Sequence, residues 1–152
     1  MIKVCFICHG NICRSPMAEY VFQDLVNKAG LGDRFEVTSA AVSYEEIGND
    51  IYPPAKRCLA EHGIPCPHRG AHRITPKEAE ESDVLLCMDH SNLCRLKSIS
   101  PLAEKKARLL GEYGLHGAEI EDPWYTGAFG RVYDQIFLCC KELLRVLCKE
   151  GQ

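Results

Sequence analysis

The stretch Val4-Cys5-Phe6-Ile7-Cys8-His9-Gly10-Asn11-Ile12-Cys13-Arg14-Ser15-Pro16 leaves this chain few ways to fold. The apolar run from Ile2 to Ile7 predicts a buried strand. A glycine-containing loop follows, and Pro16 opens a helical pattern. A strand that passes through a tight loop into a helix N-terminus builds an anion site, because free backbone N–H groups and the helix dipole converge on one point. Into that point the sequence puts Cys8 and, six positions later, Arg14. Thiolate is the nucleophilic form of cysteine, and a helix N-terminus stabilises it. Arg14 carries a planar fork that grips two phosphate oxygens at once. Ser15 is placed to cap the helix, with its hydroxyl within reach of the sulfur. Nucleophile, backbone cradle and charge clamp in one loop imply phosphoryl transfer through a covalent cysteine intermediate. Asn11 reads as structural there, since asparagine tolerates left-handed backbone and can tie a loop together.

The rest of the chain reads as one domain, residues 1–152, long enough for a sheet covered on both faces. Helical faces are predicted from Pro16 to about Ala29, from Pro53 to before Gly63, around Ser91 to Leu96, and from Arg131 to Lys149. Thr75-Pro76-Lys77-Glu78 spells a capping box. Further strands are expected at Phe35–Ala40, Val84–Met88 and, more weakly, Ala107–Leu110, with long loops at 41–52 and 111–127. Strands alternating with helices imply an α/β fold, a four-stranded parallel sheet with helices on both faces. Ligands of such sheets sit beyond the strand carboxyl ends, where the loop after the first strand lies.

Charge and cysteine usage narrow the partners. A net charge of -3 argues against general nucleic-acid binding, which needs a basic face. No apolar run approaches a membrane span, so a cytoplasmic, monomeric protein is expected. Ten cysteines in a chain able to hold a core without staples fit a reducing compartment better than a disulfide scaffold. Cys5 and Cys8 form a C-x-x-C with His9 and Cys13 nearby, which raises zinc. The second half of such a site is missing, and the spacing on a strand points Cys5 and Cys8 to opposite sides. No metal and no cofactor are expected.

The run Cys8-His9-Gly10-Asn11-Ile12-Cys13-Arg14-Ser15-Pro16-Met17-Ala18-Glu19 resembles the low-molecular-weight protein tyrosine phosphatases. Thr38-Ser39-Ala40, Met88-Asp89-His90-Ser91-Asn92-Leu93 and Asp122-Pro123-Trp124-Tyr125-Thr126-Gly127 extend the resemblance over nearly the whole chain. It implies Cys8 as nucleophile, the backbone of His9, Gly10, Asn11, Ile12 and Cys13 as the phosphate cradle, and Arg14 as its clamp, with Ser15 and Asn11 supporting. It also implies Asp122 as the general acid and base, although Asp-Pro by itself is more often a turn signal. Glu121 is the alternative acid. Trp124 and Tyr125 would line one wall of a slot, and Tyr44 and Glu45 the other, where many relatives carry tryptophan at the position of Glu45. Ile12 stands where relatives acting on phosphoarginine have threonine, which favours phosphotyrosine. The segment His68 to Thr75 departs from the family spelling by one extra residue, and surface histidine is the safer reading of His68. The resemblance further implies tyrosine-phosphorylated proteins as partners, bacterial tyrosine kinases among them, a bacterial source, and a Cys8–Cys13 disulfide under oxidation.

Two other classes compete. Thioredoxin-coupled arsenate reductases share the loop and pass a disulfide through a cysteine pair spaced like Cys87 and Cys94. The Met-Asp-x-Ser-Asn-Leu around that pair is phosphatase spelling. A non-catalytic phosphotyrosine-binding module would need neither nucleophile nor acid, yet Cys8, Arg14 and Asp122 are all present.

Overall fold

The computed structural model describes residues 1–150; the last two residues of the expected 1–152 domain lie outside the described part. Four parallel strands form the sheet: β1 (Ile2–Cys8), β2 (Phe35–Ala41), β3 (Val84–Cys87) and β4 (Ala107–Leu109), in the order β2-β1-β3-β4. β1 is central and solvent-free from Val4 to Cys8, as a continuous apolar run on a doubly covered strand requires. Its register sets Cys8 beside Ala41 of β2, and Ile7 beside Cys87 of β3.

The pleat divides the core. Val4, Phe6 and Cys8 face the layer of α1 (Arg14–Lys28) and α6 (Phe129–Glu150), with α2 (Pro53–Glu61) against it. Cys5 and Ile7 face the opposite layer, formed by α3 (Pro76–Glu81) and α4 (His90–Ile99). Phe22 of α1 meets Phe6 and Phe35 edge-on, with centroids 5.7 and 5.5 Å apart. Full burial of one such ring contributes about 1.5–3 kcal/mol, so this triad fixes α1 over the β1–β2 pair. The capping box at Thr75 and Glu78 forms and starts α3.

Several boundaries differ from the sequence reading. α1 begins at Arg14 rather than Pro16, with Cys13 in the cap position and no side chain capping it, so Ser15 is inside the helix instead of ahead of it. The stretch after Gly70, where no strand was expected, pairs with the chain beyond β2. Ala71 and Arg73 bridge to Ile47 and Ala41, which extends the sheet edge past β2. The loop 111–127 opens in a 3-10 turn at Leu110–Glu112 and later carries one α-helical turn, α5 (Pro123–Thr126).

Candidate active site

The connection from β1 runs to β2 on one side, and that from β3 runs to β4 on the other. The crevice opens between their carboxyl ends, where Arg14, following the loop from His9 to Cys13, meets Asp89 beyond β3. Asn11 turns that loop with φ 60°, a left-handed conformation that asparagine tolerates. The turn aims the Asn11 N–H at Cys8 Sγ, 3.3 Å away. Ser15 Oγ lies 3.0 Å from the same sulfur. Asn11 Nδ2 donates to Ser15 Oγ at 2.8 Å and to Ser39 Oγ at 3.0 Å. Outside the loop, Tyr52 N–H donates to the Ile12 carbonyl, and Val42 and Ser43 N–H donate to the carbonyls of Cys8 and His9. The cradle is therefore held from four separate segments.

Arg14 is almost fully buried. Its Nη1 donates to Asp89 Oδ2 and to the Ile120 carbonyl, each at 2.9 Å. Its Nη2 lies 3.6 Å from Asp122 Oδ2. Burial works against the guanidinium charge. The Cys8 sulfur beside it and the carboxylates of Asp89 and Asp122 more than offset that, holding the group above its ordinary value. One edge of the fork is thus fixed and the other faces the crevice. Asp89 also caps α4, because its Oδ1 accepts from Asn92 N–H at 2.8 Å.

Asp122 is the N-cap of α5, with Oδ1 accepting from Trp124 N–H at 3.1 Å. Asp-Pro does start a turn here, and it occupies one Asp122 oxygen while the other faces Arg14. Glu121 points elsewhere. Its pairing with Arg131 pushes its carboxyl down to about 2, and it does not line the cavity that Asp122 lines.

A cavity of about 170 Å³ joins these groups, lined by Cys8, His9, Gly10, Ile12, Cys13, Arg14, Glu45, Asp122, Trp124 and Tyr125. Asn11 and Ser15 stand behind its floor rather than in it. Trp124 is half exposed and leans on Tyr52 at 4.6 Å between centroids, while Tyr125 is open to solvent. Glu45 accepts from or pairs with His9 Nε2 at 2.9 Å. Tyr44 does not line the cavity; its ring lies under the Arg73 guanidinium, 4.4 Å from the centroid. His68 is exposed. The sequence reading gave no role to Glu46, which lines the cavity, or to Asp89, Ser39, Tyr52 and Ile120. For Asp89 a signal existed: Asp-x-x-Asn before an apolar helix marks a cap at the end of β3.

The cysteines sort by position. All ten are free. Burial pushes the Cys13 thiol up to about 12, with Cys8 and Asp122 adding to it. Cys87 is fully buried on the sheet face opposite Cys8, which raises its thiol far above the ordinary range, and Cys94 is exposed on α4. A disulfide relay from Cys8 would have to cross the sheet.

The family model for low molecular weight phosphotyrosine protein phosphatases matches residues 3–152. The human low molecular weight phosphotyrosine protein phosphatase is 42% identical over 148 residues, covering 93% of each chain. The Bacillus subtilis protein-tyrosine-phosphatase YfkJ is 35% identical, covering 100% of this chain and 99% of its own. The YfkJ crystal structure superposes with a TM-score of 0.95 at 34% identity, covering 100% of this chain and 98% of that one. Relatives this similar come from both animals and bacteria, so the resemblance assigns no bacterial source. The chain belongs to the low molecular weight phosphotyrosine protein phosphatase family.

Proposed function

We propose that this chain hydrolyses phosphotyrosine in proteins, with Cys8 as nucleophile, Arg14 as phosphate clamp and Asp122 as acid and then base. One observation carries the reading: the Cys8 sulfur, the open edge of the buried Arg14 fork and the Asp122 carboxylate converge on a single cavity. Cys8 Sγ attacks phosphorus in line, forming the S–P bond as the P–O bond to the tyrosine ring breaks. Asp122 in its acid form gives its proton to the departing phenolate oxygen. Backbone N–H groups of the His9–Cys13 loop and Arg14 hold the three equatorial oxygens through this step. Water then attacks phosphorus, the Asp122 carboxylate takes its proton, and the S–P bond breaks to release phosphate and the thiolate.

Trp124 and Tyr125 flank the entrance on one side and Glu45 on the other, as walls for a phenyl ring. Ile12 in the cavity wall adds apolar surface that suits an aromatic substrate. Ten free cysteines fit a reducing, cytoplasmic setting. Tyrosine-phosphorylated proteins, tyrosine kinases included, are the partners this site would take.

The test is phosphate release from a phosphotyrosine peptide, with chelator present and Cys8→Ser as control. Release that the substitution abolishes supports the reading. Negligible release, with arsenate reduced in the presence of thioredoxin and lost in Cys87→Ser, would replace it with the reductase.

A further inference from the structure

Behind the loop, Ser39 of β2 and Glu19 of α1 extend the hydrogen bonds that end on the sulfur. Ser39 Oγ donates to Glu19 Oε1 at 2.5 Å and accepts from Asn11 Nδ2 at 3.0 Å. An ionised carboxylate only accepts, so the single Ser39 proton is committed to Glu19. The Ser39 oxygen must then receive a hydrogen, which requires the NH2 end of Asn11 to face it. The other Asn11 amide hydrogen goes to Ser15 Oγ at 2.8 Å. With that lone pair occupied, the Ser15 proton is free to turn to Cys8 Sγ, 3.0 Å away. The amide oxygen of Asn11 takes the His72 N–H at 3.4 Å, which agrees with the same orientation.

We infer that Glu19 is a positioning residue for the nucleophile: through Ser39, Asn11 and Ser15 it fixes the direction of the hydrogen bonds so that the last one is donated to sulfur. Without the Glu19 acceptor, the Ser39 proton turns to Asn11 and the amide reverses. Its oxygen then accepts from both hydroxyls, and Ser15 offers a lone pair to the sulfur. A lone pair favours a thiol and opposes a thiolate, so a carboxylate that touches no substrate selects the reactive form. Glu19 is half-buried, and burial raises its carboxyl above the ordinary value. The Ser39 hydrogen bond and the nearby Arg69 and His72 side chains oppose that rise.

The inference concerns the sulfur, so its readout need not involve a phosphate ester. Alkylation of Cys8 by iodoacetamide at a pH below the midpoint of its rate profile, where the rate follows the thiolate population, is read by peptide mapping. Glu19→Ala is expected to slow it about 10-fold, the size of one hydrogen bond to a charged group. Ser15→Ala should do the same, and Glu19→Ala/Ser15→Ala should be no slower than Ser15→Ala alone, because Glu19 acts only through Ser15. Ser39→Ala removes the same link without touching α1 and is expected to match Glu19→Ala, which keeps the test open if the latter fails to fold. Losses that multiply in the double variant, or parent-like alkylation in both Glu19→Ala and Ser39→Ala, would overturn the inference. A protein that alkylates as expected but releases no phosphate would instead count against the phosphatase reading.

Discussion

Asp89→Asn separates two tasks of one carboxylate. Oδ1 accepts Asn92 N–H at 2.8 Å and starts α4, whereas Oδ2 accepts from Arg14 Nη1 at 2.9 Å. Asparagine keeps a carbonyl oxygen for the cap but sets an NH2 group against Nη1, so donor faces donor. Breaking a fully buried ion pair costs about 3–5 kcal/mol, and one charge-assisted hydrogen bond about 1.5–3 kcal/mol. The Asp89 side chain is 22% exposed, and Arg14 keeps the Ile120 carbonyl and the nearby Asp122 charge, so the smaller range applies. We expect about 2 kcal/mol of stability to be lost. Asp89→Ala also removes the cap and should lose about 1 kcal/mol more. For catalysis two effects oppose each other. Deleting a negative charge makes the crevice more attractive to phosphate, but it frees the fixed edge of the fork. Aim wins, because a displacement of about 1 Å at a positioning group is enough for a loss of about 10²-fold. The fall in kcat/KM should therefore appear mostly in kcat. Urea denaturation and steady-state kinetics on a phosphotyrosine peptide measure both. A parent-like kcat in Asp89→Asn would refute the clamp, and Asp89→Ala as stable as Asp89→Asn would refute the cap.

Asp122→Ala should lower kcat about 10²–10⁴-fold, with a larger loss for substrates whose leaving group is the poorer acid; an equal loss for all leaving groups would remove it as the acid. The same variant should retain tyrosine-phosphorylated proteins in a pull-down. Glu121 sits lower in the folded protein than its ordinary 4.5, down to about 2, because Arg131 holds it. The pair's contribution is therefore complete above the ordinary value and disappears as pH falls from there toward 2. The Arg131 and Glu121 side chains are 63% and 24% exposed, so salt screens the pair, and Glu121→Gln should alter acid unfolding mainly at low salt and leave kcat unchanged; a loss of kcat on the scale of Asp122→Ala would make Glu121 the acid. Mild peroxide should join Cys8 to Cys13 reversibly, and Cys13→Ser should make the inactivation permanent; mass spectrometry showing only sulfonic acid at Cys8 of the parent would count against it. A Cβ at Gly111 would fall 1.7 Å from the Ala118 carbonyl oxygen. Gly111→Ala must then shift the segment that delivers the Ile120 carbonyl to Arg14, with at least about 1–3 kcal/mol lost to strain and activity falling with it; a parent-like thermal midpoint and kcat would refute that linkage.

What the sequence discloses follows the range of the forces. The apolar run of β1, the left-handed turn at Asn11 and the Thr75 capping box are local, and each is legible in a few adjacent letters. Asp89 was legible as a cap, but its bond to Arg14 spans 75 positions, and nothing in either neighbourhood announces it. Ser39 meets Asn11 across 28 positions only because β2 lies beside β1. Tyr44 and Glu45 are neighbours in one loop, yet Arg73 draws the tyrosine ring outward while His9 keeps the glutamate at the cavity. The misplaced start of α1 has a local cause. Ser15 resembles a cap, but its hydroxyl is occupied by Asn11 and the sulfur, so the helix starts before it.

That start has a thermodynamic consequence. Helix ends are normally completed from within the chain, by a side-chain oxygen on the first N–H groups. Here Cys13 gives none, and Pro16 has no N–H to satisfy, leaving the first donors of α1 for a bound oxyanion. Phosphate thus becomes a removable part of the secondary structure, and its concentration a variable in the folding equilibrium. At about 100 times its dissociation constant it would add about 2.7 kcal/mol, so a melting temperature of this protein has meaning only when the phosphate in the buffer is stated.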